Sequence, residues 1–214
     1  SEETINPFLF GVGDWIVDKE KPILNELLVY PISEFSYVNG SNVPILLSLT
    51  KQNDGNYVAE TVKTNGTIGF GVNSYDVMNN KYSKNGIYKL ETFLNGSKTF
   101  DMVFDRLNFD DTRKINHFID YERLFLIKER IQKLFVKNNF QLNFIKQVKN
   151  DGKIEVKSGE SFNYKIVISD FHNNQTVIII PISYSDAIIE PPKSLGEGLK
   201  KIDSKRDYIF SENN

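Results

Sequence analysis

The chain has no cysteine, only two histidines and only two methionines among its 214 residues. Without thiols there can be no disulfide, no thiolate nucleophile and no cysteine-based zinc site, and thiol chemistry gives no clue to compartment. Long apolar runs are also missing. The longest, Val43–Leu49 and Val177–Ile182, fall far short of the roughly 18 residues a membrane helix needs, so no membrane span is expected. Neither sign of charge is in excess: 26 basic side chains face 28 acidic ones, for a formal net charge of −2. That balance gives no electrostatic reason to expect nucleic acid or anionic lipid as partner. No G-x-x-x-x-G-K-[ST] phosphate loop and no G-x-S-x-G elbow occurs. Gly11-Val12-Gly13 and Gly69-Phe70-Gly71 lack the third glycine of a dinucleotide fingerprint. Ser1-Glu2-Glu3-Thr4 has neither the basic nor the apolar region of a signal peptide.

What the chain does have points to β structure. Sixteen Phe and ten Tyr favour strands. Asn-Gly and Asp-Gly supply the positive φ angles that tight hairpins require. They occur at Asn39-Gly40, Asp54-Gly55, Asn65-Gly66, Asn85-Gly86, Asn95-Gly96 and Asp151-Gly152. Between them lie strand-like runs: Leu24–Ile32, Val43–Thr50, Tyr57–Val62, Thr67–Val72, Gly86–Phe93 and Lys98–Phe104. More follow at Asn143–Val148, Lys153–Val156, Ser161–Ser169 and Gln175–Ile182. Ile5–Phe10 is apolar enough to be a strand too. Asp110–Val136 breaks the pattern, because Ile115, Phe118, Ile119, Leu124 and Ile127 follow a period of about 3.6. One or two short helices are expected over Thr112–Lys128, capped by Asp110 or Asp111; Arg130–Val136 could continue the helix or return to a strand.

Candidate chemistry is sparse, and each candidate has a structural reading beside it. His117 and Asp120 share a face of the expected helix as a metal or acid–base pair, or are simply the polar edge of a packed helix. His172 sits in a turn bounded by Asp170, Asn173 and Asn174, whose side-chain oxygens suit calcium, although hairpin tips are polar for turn reasons alone. Tyr75, Tyr82 and Tyr88 offer rings for sugar stacking or for core and rim packing. The most unusual group is Arg113, Asn116, Asp120 and Tyr121. Arg113 could grip a ligand, but the structural reading is preferred: a bidentate pair with Asp120 or Asp105 that anchors the helical excursion to the sheet. No catalytic, cofactor-binding or metal-ligating residue is assigned.

Three stretches carry a resemblance. Gly86-Ile87-Tyr88 precedes Asn95-Gly96, then comes FDDTRKINHFIDYERL (Phe109–Leu124), then RIQKLF (Arg130–Phe135). In this order they resemble the accessory region that follows the lysostaphin-type zinc peptidase domain in Bacteroidetes cell-envelope proteins, a family that cleaves peptidoglycan. The likeness runs from Asn6 to Ile182, and Ile5–Phe10 resembles the end of the peptidase domain itself. The resemblance implies that any zinc ligands lie before Ser1, since H-x-H and H-x-x-x-D are absent here. Zinc is therefore expected only in that upstream domain, and no catalytic residue carries over.

The expected organisation is all-β, with two immunoglobulin-like antiparallel sandwiches and a short helical insert. Residues 1–20 would be the tail of a peptidase-like domain, and 21–105 the first sandwich. Residues 106–184 would hold the helical insert and second sandwich, and 185–214 a Pro/Gly linker and the start of a further β domain. Both chain ends are read as domain junctions. The implied function is non-catalytic: positioning the peptidase or docking it to other envelope proteins or neighbouring domains, in the periplasm or at the outer membrane of a Gram-negative bacterium. Two rivals stand beside it, a scaffold subunit of an outer-membrane assembly with a degenerate peptidase domain, and a module that binds peptidoglycan or another glycan.

Overall fold

The computed structural model describes residues 3–11, 17–78, 84–108, 114–136 and 142–187. Two of the Asn-Gly pairs close tight hairpins as their chemistry requires. At Asn39-Gly40, with φ of 47° and 81°, Val38 and Ser41 exchange both backbone hydrogen bonds, at 2.8 and 2.9 Å. At Asn95-Gly96, with φ of 47° and 84°, β8 (Lys89–Leu94) turns into β9 (Ser97–Val103). Asp54-Gly55 sits in a wider loop between β5 (Leu49–Lys51) and β6 (Tyr57–Ala59). Asn65-Gly66, expected as a hairpin, lies instead inside β7 (Val62–Tyr75), a single strand of 14 residues. Gly66 adopts φ of 86° there, and a Cβ on it would stand 2.7 Å from Ser36 Oγ. The dipeptide supplies a bend within a strand, not a reversal. Asn85-Gly86 closes no tight turn either; Asn85 forms a backbone bridge with Asp76.

β7 is shared by the two halves of a sheet of 13 strands. Along one edge it pairs with β3 (Tyr37–Val38) and then with β2 (Ile23–Pro31). Along the other it meets β15 (Gln175–Tyr184) in parallel, then β13 (Ile154–Val156) and β11 (Gln132–Lys133), both antiparallel. β15 continues to β14 (Ser161–Ser169), which pairs with β8, then β9, then β12 (Ile145–Val148) at the far edge. The opposite edge ends at β4 (Ile45–Leu46), on β2. β1 (Glu3–Ile5) and β10 (Arg106–Asn108) form a separate two-stranded sheet. Arg130–Val136 thus returns to a strand, β11, rather than extending a helix.

The architecture is all-β, with one short α-helix among the described residues. Strands of 21–105 and of 106–184 are neighbours in one sheet. One large core joins Leu27 and Val29 of β2, Phe70 of β7, Phe100 of β9 and Ile178 of β15. Phe70 stacks on Tyr164 with ring centroids 4.7 Å apart. β15 shows why it belongs inside: Thr176, Ile178, Ile180 and Ile182 are buried while alternate residues are less so, the period of two that a strand imposes. Its Pro181 falls between the residues paired with β6 and those paired with β7, where the missing N–H breaks no ladder bond.

A second, smaller cluster lies on the other face of β2, where Leu28 and Tyr30 meet Ile131, with Ile32 and Phe135 packed against it. Gly69 and Gly71 make room for it. A Cβ on Gly69 would stand 2.4 Å from the Phe135 ring, and one on Gly71 would stand 2.7 Å from Ile131. The G-x-G of this strand is a packing device. At the N-terminus only Glu3–Ile5 is strand; Pro7–Phe10 is a 3-10 turn whose Asn6 Oδ1 accepts from Phe8 N at 3.0 Å. Pro7 fixes φ and lacks a donor, which suits the first position of a helical turn better than a strand. Leu9 and Phe10 remain exposed. Residues 188–214, which hold the expected start of a further β domain, lie outside the described residues.

Gly69→Ala should destabilise the fold by about 1–3 kcal/mol through overpacking. Adding Phe135→Leu should recover part of the loss, because the ring is what the new methyl meets. Denaturant titration of the two single variants and the double one checks this, and fully additive losses would contradict it.

Candidate functional site

The described residues contain one group of side chains with the proximity to hold a metal ion: Asp18, Asp170 and His172. Each offers a ligand atom within 4.8 Å of the others. Asp170 directly follows β14, and its carboxylate organises the turn into β15. Oδ1 accepts from Asn174 N at 2.7 Å, and Oδ2 accepts from Asn174 Nδ2 at 2.7 Å. The Asn174 amide also donates to the Asp18 carbonyl at 3.0 Å, which ties the segment before β2 to this turn. Asp18 Oδ1 accepts from Glu20 N at 3.0 Å. Further along, Thr176 Oγ1 donates to the Pro22 carbonyl at 2.5 Å. His172 is half-buried, and Phe8 stacks on the neighbouring Phe171 at 5.1 Å and meets His172 edge-on.

Asp76, just beyond β7, brings a third carboxylate. It lines the same cleft of about 490 Å³ as Asp18, Phe171 and His172. Burial, with the Asp170 and Asp18 carboxylates nearby, pushes its carboxyl up to about 6, while a backbone hydrogen bond at Val77 and the His172 ring act in the opposite direction. Asp18 Oδ2 and Asp76 Oδ1 are both buried without a hydrogen-bond partner. None of the three carboxylates forms an ion pair with a lysine or arginine among the described residues.

Of the oxygen-bearing turn expected to suit calcium, Asp170 and His172 do belong to the cluster. Asn174 is engaged in holding the two aspartates, and Asn173 Oδ1 accepts from Gln175 Nε2 at 3.0 Å. Asp18 and Asp76 escaped the sequence reading because no local spacing connects them to residue 170. The pairing of Ile23 with Tyr75, where β2 meets the end of β7, and the bonds from Asn174 and Thr176 to the Asp18 and Pro22 carbonyls bring the three together.

The other expected site residues separate. Arg113 lies outside the described residues. Asn116 sits in a 3-10 turn, Ile115–Phe118. Asp120 is buried and caps α1 (Tyr121–Ile127), accepting from Arg123 N at 3.2 Å. It also accepts from Tyr30 Oη at 2.8 Å, which anchors the helical excursion to β2. Burial, with the Asp120 carboxylate as acceptor, raises the Tyr30 phenol well above its ordinary range. Asp105 pairs with Lys146 Nζ at 3.1 Å. Tyr121 is exposed, as is His117, so His117 and the buried Asp120 do not present one shared polar face. Tyr82 lies outside the described residues. Tyr75 and Tyr88 line different clefts, and Tyr88 packs edge-on against Phe171 at 5.2 Å.

Comparison with protein-family models, with characterised proteins and with solved structures gave no match to this chain.

Asp76 should make the chelator-treated protein less stable as pH rises. Its carboxyl shifts from an ordinary 3.8 to about 6 on folding, so the folded state holds the proton more tightly. The associated stability is present below the lower value and lost as pH climbs through the upper one. Asp76→Asn should flatten that slope and raise stability at neutral pH by on the order of 1–3 kcal/mol. Chemical denaturation of both proteins at a series of pH values tests it; an unchanged slope would contradict it. Asp120→Ala should cost roughly 2–4 kcal/mol, combining a lost helix cap with a buried hydroxyl left without an acceptor. Tyr30→Phe in that background should return part of the loss, which thermal melts would detect.

Proposed function

We propose that this chain is a non-catalytic accessory region of a cell-envelope protein, with 21–184 acting as one unit that docks a peptidase-like domain upstream of Ser1. The observation that carries the reading is the exposed apolar surface of α1. Tyr121, Phe125, Leu126 and Ile127 are 61, 50, 45 and 52% exposed on a helix of seven residues. A helix this short is marginal alone, and its apolar side chains gain little from water. Asp120 nevertheless fixes it rigidly to the sheet, which is how a docking ridge is held in place. Leu9 and Phe10 add exposed apolar area on the segment that resembles the end of the peptidase domain. That segment is paired through β1 to β10, and the chain from β10 leads on to α1. The occupant proposed for this surface is therefore the upstream domain.

The test uses this chain and the segment encoded immediately before it, produced separately and mixed in a calorimeter. Association is expected, weakened tenfold or more by Leu126→Asp combined with Ile127→Asp, with the variant's melting midpoint unchanged. An upstream segment without peptidase-like character, or binding indifferent to the double substitution, would overturn the reading. Retention on purified peptidoglycan by wild type and variant alike would favour the glycan-binding alternative instead.

A further inference from the structure

We propose that Asp18, Asp170 and His172, with the Asp76 carboxylate beside them in the same cleft, form a structural site for a divalent cation of the zinc or manganese class. The first three offer ligand atoms within 4.8 Å of one another. One ion with bonds of about 2.0–2.6 Å spans such separations with small side-chain rotations.

Proximity alone would describe any acidic cluster. The independent observation is Asp76, which arrives from a different strand, is only 6% exposed, and leaves Oδ1 without a hydrogen-bond partner. Asp18, also 6% exposed, leaves Oδ2 in the same condition. Both residues line one cleft together with His172. Two buried carboxylate oxygens without partners, in one cleft and with no lysine or arginine of the described residues paired to them, are unfavourable unless a cation answers them. The donor chemistry narrows the class. Calcium and magnesium take oxygen ligands, whereas an imidazole among carboxylates suits zinc or manganese better. An ion here would act as a clasp, holding the segment at Asp18 and the end of β7 against the β14–β15 turn.

The rival is a metal-free cluster in which His172 carries the compensating charge. Titrating the chelator-treated full chain with zinc, manganese and calcium chlorides, each alone, separates the two. One equivalent of zinc or manganese is expected to bind, raising the melting midpoint by about 5–10 °C at metal a hundredfold above Kd. His172→Ala and Asp76→Asn should each weaken that binding tenfold or more. Circular dichroism without metal confirms that both fold, and His172→Gln replaces the alanine variant if it does not. The proposal is overturned if none of the three metals binds stoichiometrically, or if both variants bind within twofold of wild type. Binding of calcium alone, indifferent to the change at His172, also overturns it.

Discussion

β7 has to satisfy hydrogen-bonding groups on both edges along most of its length, and the fold follows from how it does so. Thr64 is opposite Val38 on one side and Tyr184 on the other; Ile68 is opposite Pro31 and Ile154. A strand so enclosed cannot leave backbone groups unpaired. Its partners come from the beginning, middle and end of the described chain, so neither half of the sequence completes the sheet alone. The bend at Gly66 lets one continuous strand serve both halves of a curled sheet. Gly69 and Gly71 then let the Arg130–Val136 segment lie close against its outer face.

Local signals were legible wherever they were strong. β14 matches its expected bounds, and β15 differs only at its end, because alternating β-branched residues between turn signals leave little freedom. The Asn39-Gly40 and Asn95-Gly96 hairpins were readable for the same reason. Asn65-Gly66 misled because a dipeptide reports permitted φ values, not whether the chain reverses afterwards. Which strands pair with β7 was not legible: Lys153–Val156 was readable as a strand, but that it and the short β11 add to β7 depends on an edge built elsewhere. At the candidate site, Asp170 and His172 stood out as turn residues, but Asp18 and Asp76 join them only through tertiary pairing. The bond from Tyr30 to Asp120 was not legible, because the two residues lie 90 positions apart in the sequence.

Two kinds of polar burial thus do different work in this molecule. At Asp120 every important group is answered: the phenol of Tyr30 and the free amide of the first helical turn share one carboxylate, and a short helix is fixed in place. At Asp18 and Asp76 the hydrogen bonding is incomplete, and like charges converge. Structures tolerate such an arrangement when something outside the chain supplies the missing counterpart, or when protonation relieves it. The first arrangement specifies a surface and the second a cleft, and both hang from strands of the same sheet.

The position of β15 bears on how the chain is made. It is the last strand described, yet it lies inside the sheet between β14 and the β6–β7 edge, with parallel pairings that reach back more than half the chain. Contacts of such long range are slow to form because loop closure precedes any gain from pairing. During synthesis, β14 and β7 would leave the ribosome with unsatisfied edges and wait for residues 175–184 to emerge. A nascent chain stalled before that point would present open strand edges to its neighbours.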